Sequence, residues 1–344
     1  MAAIRKDNKL MALLSVWGIL LVLIGHSGFE EPIIQQKLCY LHSWIYSFHM
    51  PLFFMISGYL FSLTNKDFSR IKAGVFLQKK VVRLLVPYVA LGTILWVIKY
   101  AFSGLSHASR DFSLGTFFKM FVAPSCEGST MGYLWYVFTL FVMFVVVVML
   151  GKIRVNLKKV GGCFIVMFAC WAFYACLPNL AWLNWSKVCL ELPFFLTGVI
   201  MQRYETRFSL LVNRGGYYAF AILCALSIGL LFVSFPAIGC FNYVIKAFVG
   251  MLMSIQCCSI LLRFNWVEKY LLPLSKYTYS IYLLSWFGHY AAKVVLVNML
   301  HVHWLIVVCG MFLAGLVLPL MVCRIVDKAE WGSKQKWLRT IIGY

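Results

Sequence analysis

The stretch SFHMPLFFMISGYLF, residues 47–61, decides how the rest of the chain is read. It is apolar enough to lie in lipid, yet it opens on His49 and Pro51. Around it, 62% of the 344 residues are hydrophobic and only 12% are charged, which is not the mixture of a soluble globular domain. The stretch therefore reads as a membrane helix, and so do its neighbours. Runs of about 20 residues, the length that crosses a hydrocarbon core, fall near 10–29, 44–63, 80–101, 131–151, 161–178, 188–202, 217–235, 240–262, 274–298 and 303–323. The run at 188–202 is short and carries Glu191 and Pro193. The expectation is an all-α, polytopic integral membrane protein with about ten transmembrane helices, residues 1–344 forming a single transmembrane domain.

A formal net charge of +20 would suggest nucleic acid in a soluble chain. Here the Lys and Arg residues sit in short loops between apolar runs, not in a compact basic domain, and nucleic-acid binding is excluded from the expectation. Their distribution sets orientation instead. With a cytoplasmic N-terminus, 24 of the 31 basic residues face inward, and only Lys37, Lys99, Arg110, Lys119, Lys187, Lys246 and Lys293 face outward. Ten spans with both termini cytoplasmic satisfy this pattern. The first run ends in IGHSGFEEP without a small-residue cleavage site, so it reads as a retained helix.

The twelve cysteines form no C-x-x-C pair and lie mostly inside spans, as small buried apolar residues do. Cys39 and Cys126 alone clearly reach the outer side. The longest connection, 102–130, is rich in Ser, Gly and Phe; it reads as a structureless outer loop that covers or shapes a site. The basic tail DKAEWGSKQKWLRTIIGY is expected to lie against anionic headgroups of the membrane lipids.

Ionisable groups inside spans are functional candidates, because a charge at mid-bilayer costs about 2.5–3.5 kcal/mol on insertion scales. Four collect at one depth near the outer face: His26, His49, Glu191 and His289. Pro51 cannot donate to the carbonyl of Ser47, which loosens the backbone beside His49 and offers a carbonyl to fix its tautomer or to bind a ligand hydroxyl. Lower in that helix, Ser57 and Gly58 form a thin patch where a helix or an acyl chain can approach. At the inner face, Lys80 and Arg83 share a helix face, suited either to a phosphate group or to ordinary anchoring. His301 and His303 read as solvated loop residues, and no metal is expected.

Six segments, WGILLVLIGHSG, FHMPLFFMISGYLF, KKVVRLLVPY, GYLWYVFTLF, ELPFFLTG and LSKYTYSIYLL, occur in order along the chain. In sequence and rough spacing the chain resembles the membrane acyltransferase 3 family, in particular its fucose 4-O-acetylase-like, or O-acetyltransferase, branch. The resemblance implies a multi-pass enzyme of the bacterial inner (plasma) membrane. It implies transfer of an acyl group, commonly acetyl, from cytoplasmic acetyl-CoA to a hydroxyl of an envelope polysaccharide or lipid-linked sugar. His26 matches the family's essential histidine of the first helix, Lys80 and Arg83 the basic pair that meets the coenzyme, and Trp135 the tryptophan of the fourth-helix motif. Two positions depart from the pattern: Ser15 replaces a usual Arg or Lys, and Ser285 replaces a histidine, with His289 one turn further on.

A sugar hydroxyl is a poor nucleophile at neutral pH, and an imidazole with an ordinary pKa near 6.5 suits it as a general base, worth about 10²- to 10⁴-fold. The candidate assignment is His26 as base and His49 as its orienting group or oxyanion donor. Glu191 would fix a tautomer or bind sugar, and Trp135, Ser57 and His289 would contact substrate. A transporter or flippase is the rival class. It would need a central polar pathway, whereas the polar groups here are few and gather near one face.

Overall fold

A computed structural model describes residues 6–101, 113–125, 129, 132–153, 155, 157, 159–233, 239–328 and 333–343. Among these, every regular element is helical. Seven helices among the described residues are long and apolar enough to cross a membrane: Lys9–His26, Ala73–Ile98, Gly132–Lys152, Glu205–Gly229, Phe241–Leu261, Val267–Met299 and Trp304–Lys328. The expected spans at 44–63 and 188–202 fall within longer helices, Pro32–Thr64 and Trp185–Arg203. The span at 161–178 corresponds to the shorter apolar helix Val160–Cys176. Cys126, Arg110 and most of the 102–130 connection lie outside the described residues.

The chain forms two compact units: Met1–Ser62 with Thr197–Ala329 and Tyr344, and Leu63–Leu196 with Glu330–Gly343. The first holds α1 (Lys6–His26), most of α2 (Pro32–Thr64), α9 (Glu205–Gly229), α10 (Gly239–Leu261), α11 (Thr278–Lys293) and α12 (Trp304–Lys328). Two indoles staple it: Trp17 of α1 donates to Ser254 of α10, and Trp44 of α2 donates to Ser227 of α9, each at 3.2 Å. The thin patch on α2 is filled by protein. Gly198, near the end of α8 (Trp185–Arg203), lies so close to the Met55 carbonyl and the Tyr59 amide that a side chain there would collide with backbone.

Two breaks shape this unit. Leu38 (φ −116°, ψ 17°) interrupts α2 and separates its first turns from the stretch around His49. Gly216 (φ +53°, ψ −145°) interrupts α9 in a conformation that only glycine adopts easily. The break leaves carbonyls that lipid cannot satisfy. Gln256 of α10 supplies the donors, its amide nitrogen bonding the carbonyls of Val212 and Gly216 at 3.0 Å each.

The second unit holds α3 (Ala73–Lys80), α4 (Val86–Ala101), α5 (Leu114–Val122), α6 (Trp135–Lys152), α7 (Val160–Cys176), the first part of α8 and α13 (Ser333–Ile341). A π segment, Val81–Leu85, joins α3 to α4, with the Val86 amide bonding the Val81 carbonyl. Pro87 explains it: its missing N–H would have bonded the Arg83 carbonyl in an unbroken α-helix, so the ladder widens instead. The connection expected to be structureless contains α5. Ser113 caps it by accepting from the Thr116 amide at 3.2 Å, and the Tyr88 hydroxyl of α4 ties it down through the Met120 and Phe121 carbonyls. The basic tail forms α13, which packs on α4.

Candidate functional site

At the far end of α1 the chain reverses within six residues. Ser27 donates to the Leu23 carbonyl at 2.6 Å, and Gly28 takes a positive φ of +83°. A Cβ at Gly28 would lie 2.6 Å from Ile34, so the turn admits no side chain there. Pro32 then starts α2, a position where a missing N–H costs nothing. This turn delivers Glu30 and Glu31 to Lys293 of α11, whose ammonium meets them at 3.1 and 2.9 Å.

His26 is exposed at the rim of this turn, beside Tyr46 of α2. The Tyr46 hydroxyl lies 3.3 Å from Nδ1 and 3.4 Å from Nε2 of His26. The same phenol ring stacks at 3.9 Å on His42 and meets His49 edge-on at 4.8 Å. Phe29 covers the other side of His42 at 4.4 Å. His42, Tyr46 and His49 stand at i, i+4 and i+7 of one helix, so they share a face. The structure thus brings His26 and His49 together through Tyr46.

His49 is 2% exposed. Its Nδ1 donates to the Ile45 carbonyl at 2.8 Å, which leaves Nε2 as the bare nitrogen of a neutral ring. The sequence offered the freed carbonyl of Ser47 either to fix this tautomer or to bind a ligand hydroxyl; the ring reaches one turn back along its own helix to Ile45, so the first of these roles falls to Ile45. His289 of α11 is 6% exposed, and its Nε2 meets no hydrogen-bond partner. It packs against Gly315 of α12, where a Cβ would lie 2.8 Å from its Cδ2. Ser285 donates to the Tyr282 carbonyl at 3.4 Å. Ser15 likewise bonds its own helix, at the Met11 carbonyl. Ser57 is half-buried on α2, two turns beyond His49.

The other candidates belong to the second unit. Glu191 is 2% exposed in α8, two residues before Pro193. Trp135 begins α6, with the Lys187 ammonium 5.5 Å from its ring. Its carbonyl accepts from Thr139, whose hydroxyl accepts from buried Asn184 at 2.6 Å. Lys80 and Arg83 are not equivalent. Lys80 is half-buried, its ammonium 4.0 Å from the Phe144 ring centroid and 5.2 Å from that of Phe76. Arg83, on the π segment, is exposed.

His303 uses its Nδ1 to accept from the Leu305 amide at 3.4 Å and so caps α12. Among the described residues no three His, Cys, Asp or Glu side chains gather into a metal-binding group. The sequence reading missed Tyr46 and His42. Spacing carried the signal, since both lie on the face of α2 that bears His49, but the expected span began at residue 44 and set His42 outside it.

The arrangement offers an accessible imidazole held by a phenol, with a second neutral imidazole behind that phenol and an ion pair closing the turn. These are the parts of a proton-accepting site. No curated protein and no solved structure matches the chain. A family model does match: that of an acyltransferase domain, the acyltransferase 3 family, over residues 12–324. That match spans nearly all of the chain, and the protein is a member of the acyltransferase 3 family, a multi-pass membrane acyltransferase.

Proposed function

We propose that the protein is an O-acyltransferase of the bacterial inner membrane that moves an acetyl group from cytoplasmic acetyl-CoA to a hydroxyl of an envelope or exported glycan. The observation that carries this reading is the exposed His26 imidazole with the Tyr46 hydroxyl at 3.3 and 3.4 Å from its two ring nitrogens. A sugar oxygen attacks the thioester carbonyl while His26 takes the hydroxyl proton. The new C–O bond forms, the tetrahedral oxyanion collapses, the C–S bond breaks, and the departing thiolate takes the proton back from His26. The Tyr46 hydroxyl oxygen accepts from whichever ring nitrogen carries the proton, its own hydrogen directed at the Gly25 carbonyl at 3.5 Å, and so leaves the bare nitrogen for the acceptor's proton. His49, fixed as the Nδ1–H form, holds the far face of Tyr46. Within the first unit Ser57 and His289 are assigned to substrate contact, and within the second Trp135 and Glu191 are.

Arg83, exposed on a widened helical turn, is the group offered to the coenzyme phosphates, with Lys80 behind it on two phenyl faces. The test is mass spectrometry of the surface glycan from cells lacking the gene, complemented by wild type or by His26→Ala. Acylation is expected to disappear on deletion, return with wild type and stay absent with the variant. Unchanged acylation in the deletion strain overturns the proposal.

A further inference from the structure

Less than two turns along α2 from His49, at Met55, the first unit has a groove between α8, α9 and α10. It holds about 270 Å³ and is floored by Met55, Met201, Met251 and Ile255, all buried. Its wall also includes Thr197 and two exposed residues, Tyr204 and Arg207, and nearly all of the surface it presents is carbon. The lining on α10 runs from Phe248 to Ile255, about 10 Å of helix at 1.5 Å per residue. The groove therefore extends along the helix axis as an apolar channel, and its exposed wall residues, Tyr204 and Arg207, mark the end that opens outward, its mouth.

That mouth sits on a basic segment. Residues 203–214 carry Arg203, Arg207 and Arg214 against one acid, Glu205. Glu205 turns the other way: it lines a separate cavity of about 210 Å³, where it accepts from the Tyr59 hydroxyl at 2.9 Å. The charge left at the groove is positive. Leu211 (68% exposed) and Leu252 (44%) stand beside it as an apolar surface. On the charge reading of the sequence, this end meets the cytoplasmic leaflet, where the groove's polar end falls at headgroup depth and its apolar length at acyl-chain depth.

We propose that the groove binds one acyl chain of an anionic phospholipid, with the lipid phosphate held by Arg207 and Tyr204. The two halves of the site are matched to the two halves of one molecule. A planar guanidinium donates to a phosphate bidentately, and a groove whose remaining lining is apolar apart from the Thr197 hydroxyl favours a hydrocarbon chain over a polar ligand. This site is independent of the acyl-transfer reading and stands or falls without it.

The experiment is native mass spectrometry of the full chain in detergent micelles, titrated with phosphatidylglycerol or with phosphatidylcholine of the same chains. One phosphatidylglycerol is expected to be retained with about fivefold preference, the effect of one basic side chain near an anionic lipid. Arg207→Gln is expected to bring the two lipids to parity, and Thr197→Phe, which fills the groove, to lose the bound lipid. Free glycerol phosphate, which has the anion without the chain, is expected not to displace it. Equal retention of both lipids by wild type, an unchanged preference in Arg207→Gln, displacement by glycerol phosphate, or a stable dimer that excludes lipid would each overturn the proposal.

Discussion

The Tyr46 hydroxyl stands nearly equidistant from the two ring nitrogens of His26, at 3.3 and 3.4 Å. It can therefore serve either tautomer, and removing it leaves the imidazole present but unsteered. Tyr46→Phe is expected to lower acyl transfer about tenfold, the worth of one hydrogen bond in a transition state. His26→Ala should cost about 10²- to 10⁴-fold, the range of a general base. Coenzyme release from purified protein in vesicles measures both. Equal losses in the two variants would mean that Tyr46 holds the fold and not the ring.

Lys80 and Arg83 separate by their surroundings. With the Lys80 ammonium seated on Phe144 and Phe76, Arg83→Ala is expected to raise the KM for acyl-CoA more than it alters the choice of acceptor. Lys80→Ala should show chiefly as lowered thermal stability. Titration of initial rate against donor concentration distinguishes them, and the reverse pattern would move the coenzyme site away from the π segment.

Gly315 gives up its side chain to His289. A methyl there would lie 2.8 Å from Cδ2 of the ring, so Gly315→Ala is expected to destabilise by about 1–3 kcal/mol, as overpacking does. Gly288→Ala should cost more, because the atoms it meets are the Ala314 carbonyl and the Gly315 amide, which cannot rotate away. Melting temperatures of the two variants in detergent provide the ranking.

Burial pushes the His42 imidazole below its ordinary value of 6.5. As pH falls through that value the unfolded chain gains a proton that the folded chain does not, so this residue's contribution is present above it and lost below. The difference in melting temperature between wild type and His42→Gln should be constant from about pH 8 to 7 and drift in favour of the variant toward about pH 5. A difference that ignores pH would remove His42 from the account.

Much of this architecture was legible because lipid imposes simple rules. Runs of about 20 apolar residues marked where helices fall, though not which of them are long enough to cross, and the cost of intramembrane polarity singled out His26, His49, Glu191 and His289 as candidates. What escaped was set by contacts between segments distant in sequence or by local hydrogen bonding. No periodicity announces that Thr139 accepts from Asn184, 45 residues on, or that Lys293 closes on Glu30 and Glu31 across more than 260 positions. α5 was hidden in a connection whose Ser and Gly content reads as loop, although Ser113 caps it. Pro51 frees the Ser47 carbonyl on paper, yet of the two roles open to it the fixing of His49 falls to the carbonyl four residues back, Ile45.

Gln256 carries a wider consequence. A helix in hydrocarbon can be cut only where some other group takes over the carbonyls the cut releases, and here one amide takes both, reaching Gly216 from 40 residues away. Where α9 breaks is thus written on α10. A chain that moved the glycine by one turn without moving the glutamine would have two strands of information disagreeing about the same hinge.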